Sequence, residues 1–161
     1  MSKVLTAREI LDRLVAFPTV SRESNLDLVD WVEEYLAGFG VKAHRVYDAT
    51  GRKASLFASA GPDVEGGVVL SGHTDVVPPG DVSRWTRDPD MKGFDALALA
   101  AVPLALERGI KRPLQIALSY DEEVGCLGAP PMIDAMAGAV PKAASVIVGE
   151  PSMMKAVTGH K

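Results

Sequence analysis

His73 and Asp75 stand two residues apart where the apolar run Val68-Val69-Leu70-Ser71-Gly72 ends. Alternate side chains of an extended chain project to the same side, so Asp75 can hold one imidazole nitrogen while the other faces a cation. Gly72 leaves room for close approach. Taken alone, such a pair is more often a surface ion pair or a capped loop. It has company. Asp121-Glu122-Glu123 follows the apolar run 114–120, Glu150 follows Val146-Ile147-Val148-Gly149, and Asp90 directly precedes the helical entry Met91-Lys92-Gly93. Individually these read as a solvated turn, an exposed loop acid and an N-cap. Gathered at one edge of a sheet they would repel one another unless cations neutralised them. Imidazole with carboxylates suits zinc, and also cobalt or manganese, and several carboxylates around few histidines suggest two ions sharing an acid. A single cysteine, Cys126, excludes a multi-thiolate site.

Positioning such groups requires strands that end together. Thr6-Ala7-Arg8-Glu9 is a capping box opening a first helix that ends near Phe17-Pro18. Leu26, Val29, Trp31, Val32, Tyr35 and Leu36 keep a helical period to Gly38-Phe39-Gly40, where glycine suits a left-handed cap. Short apolar runs at 41–47, 54–58 and 66–71 predict strands, with a turn over 48–53. Residues 93–109 predict a helix kinked at Pro103. Runs at 114–119 and 144–148 predict two more strands around a helix over 127–136. Such alternation predicts an α/β fold with three αβα layers: a mostly parallel central sheet and helices on both faces. In sheets of this kind ligands collect beyond the carboxyl ends of the strands, where the acids fall. Gly38-x-Gly40 follows a helix, not a strand, and lacks a third glycine, so it is no dinucleotide loop. His44 falls within a predicted strand and is read as a packing or solvent-facing residue.

The bulk properties narrow the classes. A length of 161 residues with 47% hydrophobic content supports one domain with a real core. The net charge of −4, with scattered Lys and Arg, predicts no nucleic-acid partner. The longest apolar run, 96–106, falls short of the roughly 20 residues of a membrane span and contains Pro103, so no membrane role is expected. The N-terminus lacks a signal-peptide core and the chain cannot form an internal disulfide, which predicts a cytoplasmic location. Gly-x-Ser-x-Gly is absent from the sequence, so a serine nucleophile is not indicated.

Four motifs together, Ser71-Gly72-His73-Thr74-Asp75-Val76-Val77-Pro78, Asp90-Met91-Lys92-Gly93-Phe94, Ser119-Tyr120-Asp121-Glu122-Glu123-Val124-Gly125-Cys126 and Gly149-Glu150-Pro151-Ser152, resemble the two-metal aminoacylase and carboxypeptidase family of zinc peptidases. Gly125-Cys126-Leu127-Gly128-Ala129 and Val157-Thr158-Gly159-His160-Lys161 look most like its acetylornithine deacetylase branch, and less like the succinyl-diaminopimelate desuccinylases. The resemblance implies two Zn2+ ions, with Co2+ or Mn2+ as substitutes. His73 and Glu150 would bind the first, Asp90 would bridge both, and Glu123 would bind the second. Asp75 would orient His73. Glu122 would be the general base that activates water against an N-acyl carbonyl and returns the proton to the leaving amine. Alternation along a strand cannot by itself say which of Glu122 and Glu123 has which task. His160 would be no ligand.

The implied substrate is a small N-acyl amino acid, N-acetylornithine first, with release of acetate in arginine synthesis; a related desuccinylase, aminoacylase or carboxypeptidase is the alternative. A non-catalytic metal-binding fragment is the reading from another class. Two departures bear on this. Residues 1–161 correspond to the N-terminal part of the family's catalytic domain, without the lid or dimerisation domain and the C-terminal return that brings another histidine. The stretch Trp85-Thr86-Arg87-Asp88-Pro89 before Asp90 is shorter than in relatives. A complete enzyme of this kind would be a homodimer.

Overall fold

A computed structural model describes residues 3–78 and 91–150. Along the chain run α1 (Ala7–Val15), α2 (Leu26–Ala37), β1 (Ala43–Tyr47), β2 (Ala54–Ala60), β3 (Gly67–His73), α3 (Lys92–Glu107), β4 (Leu114–Ser119), α4 (Ala129–Ala139) and β5 (Ala143–Val148). Each matches a segment read from periodicity, with ends shifted by a few residues. The capping box is present in both halves: Glu9 N–H donates to Thr6 Oγ1 at 3.2 Å and Thr6 N–H to Glu9 Oε2 at 2.8 Å. α2 ends in the expected left-handed glycine cap. Gly38 is right-handed at φ −61°, and the left-handed residue is Gly40 at φ 74°. There Gly40 N–H bonds Ala37 O and Val41 N–H bonds Leu36 O, the paired bonds of a Schellman motif. Helix α3 continues through Pro103.

The five strands form one sheet in the order β1-β2-β4-β3-β5. β3 pairs parallel with β4 and β5, whereas β2 pairs antiparallel with β1 and β4. Four strands therefore share one direction and β2 alone opposes them. The reversal is local. Asp48 Oδ1 accepts from the amides of Arg52 and Lys53, closing a short turn that can only join antiparallel neighbours, while β3 reaches β4 through α3.

Period-two alternation sorts the sheet residues into two cores. Leu56, Ala58, Ile116 and Leu118 pack with Ile10, Leu14, Val32, Leu36, Leu99 and Val102 of α1, α2 and α3. Phe57, Val69 and Ala117, one residue out of phase, pack with Met132 of α4. The result is the three-layer αβα arrangement, with the carboxyl ends of β3, β4 and β5 at one edge. None of the described helices is long and apolar enough to cross a membrane.

Candidate metal centre

His73 is the last residue of β3 and is 1% exposed. Its Nδ1 lies 2.9 Å from the carbonyl oxygen of Asp75 and 3.4 Å from Asp75 Oδ1. A proton on Nδ1 therefore donates toward Asp75, which leaves the Nε2 lone pair facing away. Nε2 is buried and has no hydrogen-bond partner among the described residues. Facing it are Glu122 Oε2 at 3.7 Å and Glu150 Oε1 at 3.6 Å. Glycine at position 72 is required by packing, since a Cβ there would overlap the Asp95 carboxylate of α3.

Asp75 does more than hold His73. Its Oδ2 accepts from Ser21 Oγ at 2.8 Å and from Glu123 N–H at 3.3 Å, and its Oδ1 accepts from Glu122 N–H at 2.9 Å. One carboxylate thus ties the end of β3 to the turn after β4 and to the segment between α1 and α2. Burial would raise the Asp75 pKa, but His73, the Glu122 amide and Ser21 hold the group below its ordinary value. Burial likewise pushes His73 down, yet hydrogen bonding and charge from Asp75, with Glu122 adding, bring it up to about 9. Without a cation the imidazole carries a proton at neutral pH, occupying the place of positive charge between carboxylates.

One ligand atom each from His73, Glu122 and Glu150 lie within 4.8 Å of one another. Two ligands about 2.1 Å from a tetrahedral zinc stand roughly 3.4 Å apart, close to the 3.6 and 3.7 Å measured here. Those separations are too long for hydrogen bonds and suited to a cation between the groups. The donor set, one imidazole and two carboxylates, is of a kind that divalent metal ions accept. The residues present fit a divalent ion.

Of the residues singled out in the sequence, His73, Asp75, Glu122 and Glu150 come together. Glu123 is exposed and sends its amide to Asp75; its carboxylate is outside the three-residue cluster. Asp90 and His160 lie outside the described residues. His44 stacks on Phe57 with ring centroids 5.0 Å apart. Three contacts were not read from the sequence: Ser21 on Asp75, the Lys53–Asp121 ion pair, and Cys126, whose Sγ lies 3.4 Å from Glu122 Oε1. Glu122 pushes the Cys126 thiol pKa up, with burial adding to the shift. Ser21 and Cys126 carry no periodic signal. The Lys53–Asp121 pair follows from strand register once β2 and β4 are known to be neighbours.

Solved structures share this fold. A metallo-carboxypeptidase of the M20 family from Sulfolobus solfataricus superposes with a TM-score of 0.74 at 20% identity, over 92% of this chain and 37% of that one. A tripeptidase from Staphylococcus aureus gives 0.67 at 16% identity, over 93% and 45%. A glutaminyl cyclase from Tannerella forsythia gives 0.65 at 18%, over 89% and 60%. This chain therefore spans less than two thirds of each of these proteins. At such identities the likeness establishes the fold. The family is established by sequence: residues 69–160, more than half of the chain, match the model of peptidase family M20/M25/M40, and the chain belongs to that family.

Proposed function

We propose that this chain carries the metal-binding half of a hydrolase that cleaves the amide bond of N-acyl amino acids, with N-acetylornithine as first substrate and ornithine and acetate as products. One observation carries the metal-dependent reading: a buried imidazole nitrogen with no hydrogen-bond partner among the described residues, facing two carboxylates at separations suited to a shared cation. The branch assignment rests on the motif Gly125-Cys126-Leu127-Gly128-Ala129 and its neighbours.

In this reading His73 and Glu150 hold a divalent ion, with Asp90 and Glu123 completing a two-ion site. A bound Zn2+ supplies positive charge that polarises the scissile carbonyl and acidifies water. Asp75 keeps the His73 ring in the Nδ1–H tautomer, so Nε2 stays available. Glu122, facing His73 Nε2 within the cluster and anchored through its amide to Asp75, takes a proton from the attacking water. As the carbon–nitrogen bond breaks, Glu122 passes that proton to the departing amine, which leaves a carboxylate and a free amino acid. Further parts of a complete enzyme would supply the remaining ligand and the groups that bind the acyl oxygen and the amino-acid end, with a second subunit completing a homodimer.

Release of free amine from N-acetylornithine, N-succinyl-diaminopimelate and a dipeptide by the zinc-loaded protein tests the reading. Turnover of the acetylated substrate above the other two, lost in Glu122→Gln, is expected. Preference for the dipeptide would instead place the chain among the peptidases of its family. A metal-loaded protein inert toward all three would favour the non-catalytic metal-binding reading of this chain over a self-sufficient hydrolase.

A further inference from the structure

Asp121 is 1% exposed, and at φ 52° it is a left-handed residue that is not glycine, a conformation that needs support from its surroundings. The support is specific. Its Oδ2 pairs with Lys53 Nζ, its Oδ1 accepts from Arg22 N–H at 2.7 Å, and Arg22 is itself left-handed at φ 74°. Lys53 Nζ also lies 5.4 Å from the centre of the Tyr120 ring. Register explains the pairing. β2 and β4 run antiparallel with Leu56 opposite Leu118, so carrying the ladder three residues onward brings Lys53 opposite Asp121. The left-handed turn at Asp121 directs the following amides, Glu122 N–H and Glu123 N–H, onto Asp75 and sets the Glu122 carboxylate before His73 Nε2.

We propose that Lys53 and Asp121 are positioning residues for Glu122: their ion pair, buried at Asp121 and part-buried at Lys53, fixes the left-handed turn that holds Glu122 against Asp75 and His73. The proposal rests on the reading of Glu122 as the proton-transferring residue. Neither residue touches the cation or substrate; both act through the backbone of the turn. A Lys53→Met chain leaves the Asp121 carboxylate buried without its counter-charge, which drives the turn to open toward water. Asp121→Asn added to it removes that charge while keeping a residue that tolerates the left-handed conformation and can accept from Arg22 N–H.

The test compares wild type, Lys53→Met and Lys53→Met/Asp121→Asn by residue-resolved amide hydrogen exchange, with Leu118 in β4 as internal reference, and by kcat and KM on the zinc-loaded protein. Positioning predicts exchange about tenfold faster at Glu122 and Glu123 in Lys53→Met, unchanged protection at Leu118, and recovery in the double variant. kcat falls by about tenfold at constant KM and recovers in parallel. Exchange that rises equally at Leu118, or stays unchanged at Glu122 and Glu123, overturns the proposal, as does a folded Lys53→Met with wild-type kcat. An inert wild type would count against hydrolysis by this chain alone and leave exchange to judge the turn.

Discussion

β4 and β5 flank β3 on opposite sides and run parallel to it, yet their surroundings are opposite. From Gln115 to Ser119 every residue of β4 is buried, whereas β5 is exposed from Ala144 to Val148. Each strand delivers one carboxylate to the cluster. Glu122, beyond β4, hangs from a turn secured by Asp75, Lys53 and Arg22. Glu150, beyond β5, follows Gly149, whose amide bonds Ser71 O at 3.1 Å. The site is thus prepared from one side, with β3 and β4 forming a fixed wall to which the β5 side is joined at an edge of the sheet.

Breaking the wall has the largest expected effect. Asp75→Ala removes the acceptor for Ser21, Glu122 and Glu123 and the partner of His73, so unfolding free energy should fall by about 2–4 kcal/mol. Zinc affinity should fall by about 100-fold in the same variant. Urea denaturation and calorimetric titration measure the two. Gly149→Ala probes the other side. A Cβ there would overlap the Phe94 ring, so the end of β5 must move; stability should drop by about 1–3 kcal/mol, and zinc affinity should fall although no ligand has been removed.

The pH response sharpens the picture of His73. Its pKa of about 9 in the cation-free fold lies above the ordinary 6.5. The stabilisation this proton provides is fully present below about pH 6.5 and is lost as pH rises through about 9. Melting of the zinc-free protein should therefore shift downward between those values, while zinc binding, which displaces the proton, should tighten over the same interval. The smallest effect belongs to β5. Val146→Thr, at a position 59% exposed, should change stability by no more than about 0.5 kcal/mol. An equivalent polar change at Ile116 in β4, which is buried, should cost several-fold more by the same denaturation measurement.

The sequence made the elements legible because each has its own pattern: Ile10 and Leu14 on one face of α1, the short apolar run over 54–58 in β2, the mostly apolar run of β4. It also made the residue types of the cluster legible, since His73 ends β3 while Glu122 and Glu150 follow β4 and β5, strands of the same direction. Two things were out of reach. Leu114–Ser119 and Ala143–Val148 are similar apolar runs, and what separates them is the neighbour on the far side: β4 has β2, and β5 ends the sheet among the described strands. Long-range partners decide that, not local pattern. The second was the turn at Asp121, because a triplet of acids gives no sign that its first member is buried against Lys53 while the second faces His73.

The central claim is that His73 Nε2 and Glu150 hold a divalent cation, with the Glu122 carboxylate facing it. Calorimetric titration of the chelator-stripped protein with Zn2+, run beside His73→Ala and Glu150→Ala, tests it most directly. The account predicts specific binding in the wild type, loss in His73→Ala, and a clear weakening in Glu150→Ala. Zinc binding of equal strength in all three proteins would contradict it.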